Sequence, residues 1–303
     1  MLSGLIDCLV KVFPKNTFLN YLIAARELRW RISNGNQVIY LEYPVTPRPR
    51  YGFGKPPHTA LNQYFENNRA TYTKWIENFS QFNDQLTSIP YDKPSDPTQP
   101  YWNNGFIAGL EAVGLYCYPA IYQSRLYVEI GSGNSTKFVR QSVVKNGLQT
   151  RIVSIDPNPR AEIDDICDEV RREGLEDTDQ RIFDELSDGD ILMFDGSHRC
   201  FQNSDVAVFF LEILPRLKQG VLVYIDDIYL PYDYPPVWQD KFYSEQYLLA
   251  TLLLAAPQKY NIEIPCVFIG NDEKLQLQSD ALAKNINLQG IGGCGSGLWL
   301  RVV

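Results

Sequence analysis

Leu126-Tyr-Val-Glu-Ile-Gly-Ser-Gly-Asn-Ser-Thr136 is the stretch that decides the fold. Leu126 to Ile130 is a short run rich in β-branched and aromatic residues, closed by glycine, and it reads as a buried strand. Gly131 and Gly133, with Ser132 between them, allow a tight turn that lets a ligand approach the backbone. Ser135 or Thr136 can cap the helix expected over Lys137 to Asn146, whose apolar positions are Phe138, Val139, Val143 and Val144. A glycine turn that opens onto a helix N-terminus presents free N–H groups to a polar ligand.

Two acids sharpen the reading. Glu129 sits two residues before the first glycine. Asp156 follows the apolar run Arg151-Ile-Val-Ser-Ile155 and lies 23 positions beyond Gly133. An acid at the tip of a second strand is placed to bind the two hydroxyls of a ribose. Position 136 is Thr where a dinucleotide fingerprint has its third glycine. The ligand indicated is a nucleoside without phosphates, and a nicotinamide-dependent oxidoreductase is disfavoured.

Outward from this stretch, strand and helix alternate. Strands are expected at 126–130, 151–155, near Glu169–Arg172, at 190–194, 220–225, 262–269 and 297–303. Helices are expected at 136–146, 179–186, 204–216 and 244–256. The pattern predicts an α/β fold, a doubly wound and mostly parallel sheet, with ligands at the carboxyl ends of its strands. Asp195 ends the run Ile191-Leu-Met-Phe194, and Asp226 and Asp227 end Val221-Leu-Val-Tyr-Ile225. Neighbouring strand ends lie about 5 Å apart, so three carboxylates converge on one rim. A cation or protons must compensate them, and oxygen-only ligands suit Mg²⁺, Ca²⁺ or Mn²⁺. The bland alternatives are that Asp195 serves the cofactor or a helix cap and that one aspartate of the pair bonds a loop. His198, three residues past Asp195, is either a base for an acceptor proton, with an ordinary pKa near 6.5, or a polar turn residue. Tyr229, Tyr232, Asp233, Tyr234 and Trp238 follow the fifth strand, where their faces suit a sugar or another ring. Ser244 reads as an N-cap.

The run Glu129-x-Gly131-x-Gly133-x-Ser135, with Asp156 closing the next strand, resembles the first two motifs of class I S-adenosylmethionine-dependent methyltransferases. The likeness continues through Asp195-Gly-Ser-His198, Val223-Tyr-Ile-Asp-Asp-Ile228 and Gly297-Leu-Trp-Leu-Arg-Val302, covering roughly 100–303. It implies seven strands, the last antiparallel, and S-adenosylmethionine as cofactor. It places cofactor binding on Glu129, Gly131, Ser132, Gly133, Ser135, Thr136, Asp156, Asp177 (toward the adenine) and Asp195. It implies methyl transfer to a hydroxyl of a small-molecule acceptor, a sugar or secondary metabolite, with His198 and Asp227 as catalytic residues. In metal-dependent O-methyltransferases of small molecules, acids in these places hold a divalent ion, which carries a Mg²⁺ expectation onto Asp195, Asp226 and Asp227. In relatives of the 230–235 stretch the first of the paired acids is often His; here it is Asp226. A catalytically silent S-adenosylmethionine-binding module and an N-methyltransferase are the alternatives.

The chain has 303 residues, 45% hydrophobic and 13% aromatic, ample for a core. Its net charge of −8 disfavours nucleic acid and anionic lipid as partners. Six cysteines stand singly, with no metal spacing and no disulfide framework, as expected of free thiols in the cytoplasm. No run is long enough for stable membrane insertion; Leu5, Leu9, Val12 and Phe13 could share one face of a short amphipathic helix. A homo-oligomer is left open.

Residues 1–100 are expected to form a mainly helical cap or extension, and 101–303 the cofactor-binding domain. Helices are expected from Asn16 or Thr17 to about Ser33, from Leu61 to about Leu86, and from Trp102 to Tyr118, with a strand at 38–41 and a linker at 90–101. The aromatics of 61–86 are expected in the core, or as one wall of an acceptor pocket. The proline-rich 44–57 stretch, with Arg48-Pro-Arg-Tyr-Gly-Phe-Gly-Lys55, reads as a surface loop or part of a lid. His58 is expected to have no catalytic role.

Overall fold

The computed structural model describes residues 41–286, 288 and 294–303, together with 25, 26, 29 and 39. The chain divides into two compact units, 1–46 and 47–303. Of the first unit, residues 25, 26 and 29 are helical and 41–46 lack regular structure. The helices expected before residue 33 and the strand at 38–41 lie outside the described residues or almost so.

The second unit opens with three helices, α1 (Thr59–Glu66), α2 (Arg69–Phe79) and α3 (Asn83–Thr87), followed by α4 (Gly109–Tyr122). The sheet region then runs β1 (Leu126–Ile130), α5 (Asn134–Lys145), β2 (Arg151–Ile155), β3 (Glu169–Arg171), α6 (Arg181–Glu185), β4 (Ile191–Phe194), α7 (Asp205–Val208), β5 (Leu222–Ile225), α8 (Glu245–Ala255), β6 (Tyr260–Pro265), α9 (Cys266–Gly270), α10 (Glu273–Asn285) and β7 (Leu298–Val302). The seven strands are ordered β3-β2-β1-β4-β5-β7-β6. β1 to β5 are parallel, and β7 runs antiparallel to both β5 and β6. β1, β4 and β5 are buried along their whole length, as strands covered on both faces must be, which is why they read as continuous apolar runs. The order turns back between β1 and β4, and the loops after β1, β2, β4 and β5 open on that edge.

The expected helix over 61–86 is three helices, broken at 67–68 and 80–82. Its aromatics are core: Phe65 and Tyr72 pack on Phe268 of α9, and Trp75 and Phe79 meet Tyr118 of α4, which packs on Trp299 of β7. Each such ring contributes about 2–3 kcal/mol by burial. The helix expected at 102–118 begins seven residues later, at Gly109. Before it, Asn104 is buried and bonds the carbonyls of Tyr101 and Ile107 and the amides of Phe106 and Ile107, a side-chain-built turn that competes with helix. The run 262–269 is strand only to Pro265, after which α9 follows. α10, not expected from the sequence, packs on α2 and α9. Helix 204–216 is one α-turn, then a π-turn over Phe209–Ile213 that keeps Phe209 stacked on Phe194 at 4.0 Å.

Candidate functional site

The glycine turn is built from below by Glu129. This carboxylate is fully buried and accepts from the hydroxyls of Ser135 and Thr136, and from Tyr127 at 3.0 Å. Thr136 Oγ1 in turn accepts from the Gly133 amide at 3.2 Å. Ser135 and Thr136 therefore lie inside the first turn of α5, which starts at Asn134, and tie it to the strand instead of capping it from outside. Burial pushes the Glu129 carboxyl up to about 7, while these hydrogen bonds pull it down.

The two glycines do different things. Gly131 has φ +80°, and a Cβ there would lie 1.8 Å from the Asp195 carbonyl oxygen. Gly133 has extended backbone, and a Cβ there would meet nothing within 4 Å. The first is demanded by the fold; the second faces open space at a helix N-terminus. Ser132 donates its amide to Asp156 at 2.7 Å and its hydroxyl pairs with Ser154 at 2.8 Å. Asp156 also accepts from the Asn158 amide at 2.7 Å. Each of its oxygens thus accepts one bond and has capacity for another. Asp177 is exposed in a turn after β3, its amide bonded to Gly174, and its side chain makes no hydrogen bond among the described residues.

The second half of the site lies at the ends of β4 and β5. His198 Nδ1 is 2.7 Å from Glu245 Oε1, while Nε2 is 3.4 Å from Asp195 and 3.8 Å from Asp227. Asp227 also accepts from the Ser296 hydroxyl at 2.9 Å. His198 and Asp227 have φ +63° and +53°, positions that cost a non-glycine residue about 1–3 kcal/mol and cluster at functional sites. Burial lowers the His198 pKa, but the Glu245 hydrogen bond and the charges of Glu245, Asp195 and Asp227 outweigh it and lift the ring to about 9. The ordinary imidazole value makes His198 a candidate base in the sequence. In this surrounding the ring holds its proton at neutral pH instead of being free to accept one. Burial raises Asp195 and Glu245 to about 7 each.

Asp226 points elsewhere. Its Oδ1 accepts from Tyr224 at 2.7 Å, and that phenol is 3.3 Å from Glu111. Glu111 is buried and also accepts from the amides of Ala108, Ser296 and Gly297. Burial, then the charges of Asp195 and Asp227, push Asp226 well above the usual carboxylate range. The three aspartates expected to share Mg²⁺ therefore do not form a ligand set. Among the described residues no group of three or more His, Cys, Asp or Glu is set to hold a metal ion. The His198 ring, not a shared ion, lies against Asp195 and Asp227, and the Asp226 carboxyl is taken up by Tyr224.

Beyond His198, Tyr243 stacks on the imidazole at 4.3 Å. Tyr229, Tyr234 and Trp238 form a cluster with it, Tyr234 and Trp238 meeting Tyr243 edge to face. Asp233 is buried and accepts from the amides of Arg50 and Tyr51 and from Tyr247 at 3.0 Å. It thus pins the 50–58 turn to this loop, where Tyr232 packs on Gly52. His58 caps α1, accepting from the Leu61 amide. Ser244 precedes α8 without a capping bond; its hydroxyl accepts from the Cys200 amide. Sequence reasoning missed Glu245, Glu111 and Ser296. Glu245 carried the one signal, an acid in the first turn of a helix.

Strand order, the antiparallel β7 and a glycine turn after β1 facing an acid after β2 define a class by fold: a seven-stranded, doubly wound Rossmann-like α/β sheet. Residues 128–228, about a third of the chain, match a family model described as a methyltransferase domain. Among curated proteins, none matches. Solved structures similar to the chain include an O-methyltransferase from Bacillus cereus in complex with S-adenosylhomocysteine (17% identity, 80% of this chain and 97% of that one, TM-score 0.34). Another is a methyltransferase from Geobacter sulfurreducens (15%, 66% and 81%, 0.34). A third is an O-methyltransferase from Streptomyces achromogenes involved in tomaymycin synthesis, in complex with S-adenosylmethionine (13%, 62% and 77%, 0.30). At such identities and scores none of these likenesses says what this chain acts on. Among the described residues no helix is long and apolar enough to cross a membrane.

Proposed function

We propose that the chain is an S-adenosylmethionine-dependent methyltransferase acting on a hydroxyl of a small molecule, a sugar or a secondary metabolite. The observation that carries this reading is the cradle after β1: Gly131 locked against the Asp195 carbonyl, Gly133 facing open space, and Asp156 oriented by two amides with lone pairs to spare. Such a cradle fits a nucleoside whose ribose bonds Asp156 and whose remaining polar end meets the α5 N-terminus.

When bound, the cofactor supplies an electrophilic methyl group on a sulfonium. Everything else falls to the chain's own residues. Glu129 holds the glycine turn in shape through Ser135 and Thr136. Asp227 takes the acceptor's hydroxyl proton. The His198 cation, tied to Glu245, compensates Asp195 and Asp227 and keeps two carboxylates at one rim tolerable. The aromatic loop after β5 aligns the acceptor, alignment being the main demand of an in-line displacement.

The test is calorimetric titration with S-adenosylhomocysteine and, separately, NAD. One-to-one binding of the former alone is expected, abolished by Asp156→Ala. No heat at about 1 mM ligand, a concentration at which even weak sites fill, or unchanged affinity in Asp156→Ala, would sink the reading.

A further inference from the structure

The chain is acidic overall, at −8, yet the side chains just beyond the aromatic ring on His198 are cationic. The Arg199 guanidinium lies 5.2 Å from the centre of Tyr243 and donates to the carbonyls of Lys241 and Ser197. The Lys241 ammonium lies 3.6 Å from the centre of Trp238 and 4.9 Å from that of Tyr243. Neither cation pairs with a carboxylate among the described residues. Asp240, next in sequence, is exposed, and Glu245 beneath is committed to His198.

An aromatic face holds a cation by its quadrupole and uses none of its N–H donors. Lys241 thus keeps three donors and its charge for a ligand. Tyr243 separates these cations from His198 by one ring, the scale of a single ligand ring. We propose that the acceptor carries an anionic group, carboxylate or phosphate, seated on Lys241 and Arg199, while its ring lies along the Tyr243 and Trp238 cluster and its reacting hydroxyl faces Asp227. The assignment of the hydroxyl rests on the methyl-transfer reading; the anion seat does not.

The experiment titrates the full chain, with and without S-adenosylhomocysteine, with two pairs of probes: 4-hydroxybenzoate against 4-hydroxybenzamide, and glucose 6-phosphate against glucose. The anionic member of at least one pair should bind at least about tenfold more tightly than its neutral twin, as charge-assisted contacts allow. Which pair shows the preference tells carboxylate from phosphate. The double variant Arg199→Gln, Lys241→Gln should reduce it to below about twofold while keeping the wild-type melting temperature and S-adenosylhomocysteine affinity. Equal behaviour of both twins in both pairs, whether both bind or neither does, overturns the proposal, as does a preference that survives the double substitution. Failure of the wild type to bind S-adenosylhomocysteine would instead remove the methyl-transfer reading, and the anion preference would still be read on the same protein.

Discussion

At the scale of single residues, Gly131 and Gly133 separate fold from function. Gly131→Ala places a methyl inside the Asp195 carbonyl and forces an L-residue to φ +80°. It should destabilise the protein by about 2–4 kcal/mol, read by urea denaturation. Gly133→Ala meets no atom and has extended backbone, so its stability should stay within about 1 kcal/mol of wild type. On the proposed reading its methyl enters the space of the cofactor, and S-adenosylhomocysteine affinity should fall at least about tenfold. An equal loss of stability in both variants would contradict the division. The acidic rim gives a second residue-scale expectation. Because His198 already compensates Asp195 and Asp227, EDTA should leave ligand binding unchanged in calorimetry; a gain of affinity on adding Mg²⁺ would show that the carboxylates rearrange around an ion. Much of this is legible in the sequence where geometry is local: Glu129, Gly131, Gly133 and Asp156 act through neighbours on one strand–turn–helix unit and its adjacent strand. The His198 pKa is not legible there, because Glu245 reaches it from an element 47 residues away.

At the scale of elements, the 50–58 turn is held to the loop after β5 by Asp233, which satisfies two backbone amides and the Tyr247 hydroxyl. Asp233→Ala leaves these donors without their acceptor at a partly buried place, costing about 1–3 kcal/mol locally. Hydrogen exchange over 50–58 should speed up at least about tenfold, with exchange in β1 and β4 unchanged. Unaltered exchange at 50–58 would mean that the turn is held by Tyr232 and Tyr51 instead. Proline content and length mark this segment as a loop or lid in the sequence, but not its anchor. Asp233 lies 183 residues from Arg50 and bonds backbone, which leaves no pattern in side-chain type. The same reason hides Glu111, whose partners are the amides at 108, 296 and 297. The turn over 104–107 imitates helix in the sequence because Asn104 bonds backbone within its own segment. In α10, Leu275 and Leu282 do carry a helical spacing, yet the apolar run through Pro265 reads as continuous strand and masks the break that leads into α9 and α10.

At the scale of the whole molecule, the buried acids set how stability responds to pH. Burial holds Glu129, Asp195 and Glu245 near 7 and Glu111 near 8, and the surrounding acids hold His198 near 9. In an unfolded chain carboxyls titrate near 4 and imidazole near 6.5. Every one of these groups therefore keeps its proton to higher pH in the folded state than in the unfolded one. For the acids, the neutral form is the one the fold accommodates, so stability is lost as pH rises from about 4 towards each folded value. For His198, the contribution is complete below about 6.5 and is lost as pH rises through 9. All five act in one direction across one window. The acids held low by arginines, Asp179 and Asp272, titrate below that window and do not oppose the trend. A tenfold difference in proton affinity between the folded and unfolded chain is worth about 1.4 kcal/mol, so even one of these groups moves the midpoint measurably. The urea midpoint of the ligand-free protein should fall steadily between about pH 5 and pH 9, and Glu129→Gln, which cannot ionise, should flatten the part of the slope below about pH 7. A midpoint that rises with pH over this range would mean that the rim carries ionised carboxylates compensated by something other than protons and His198.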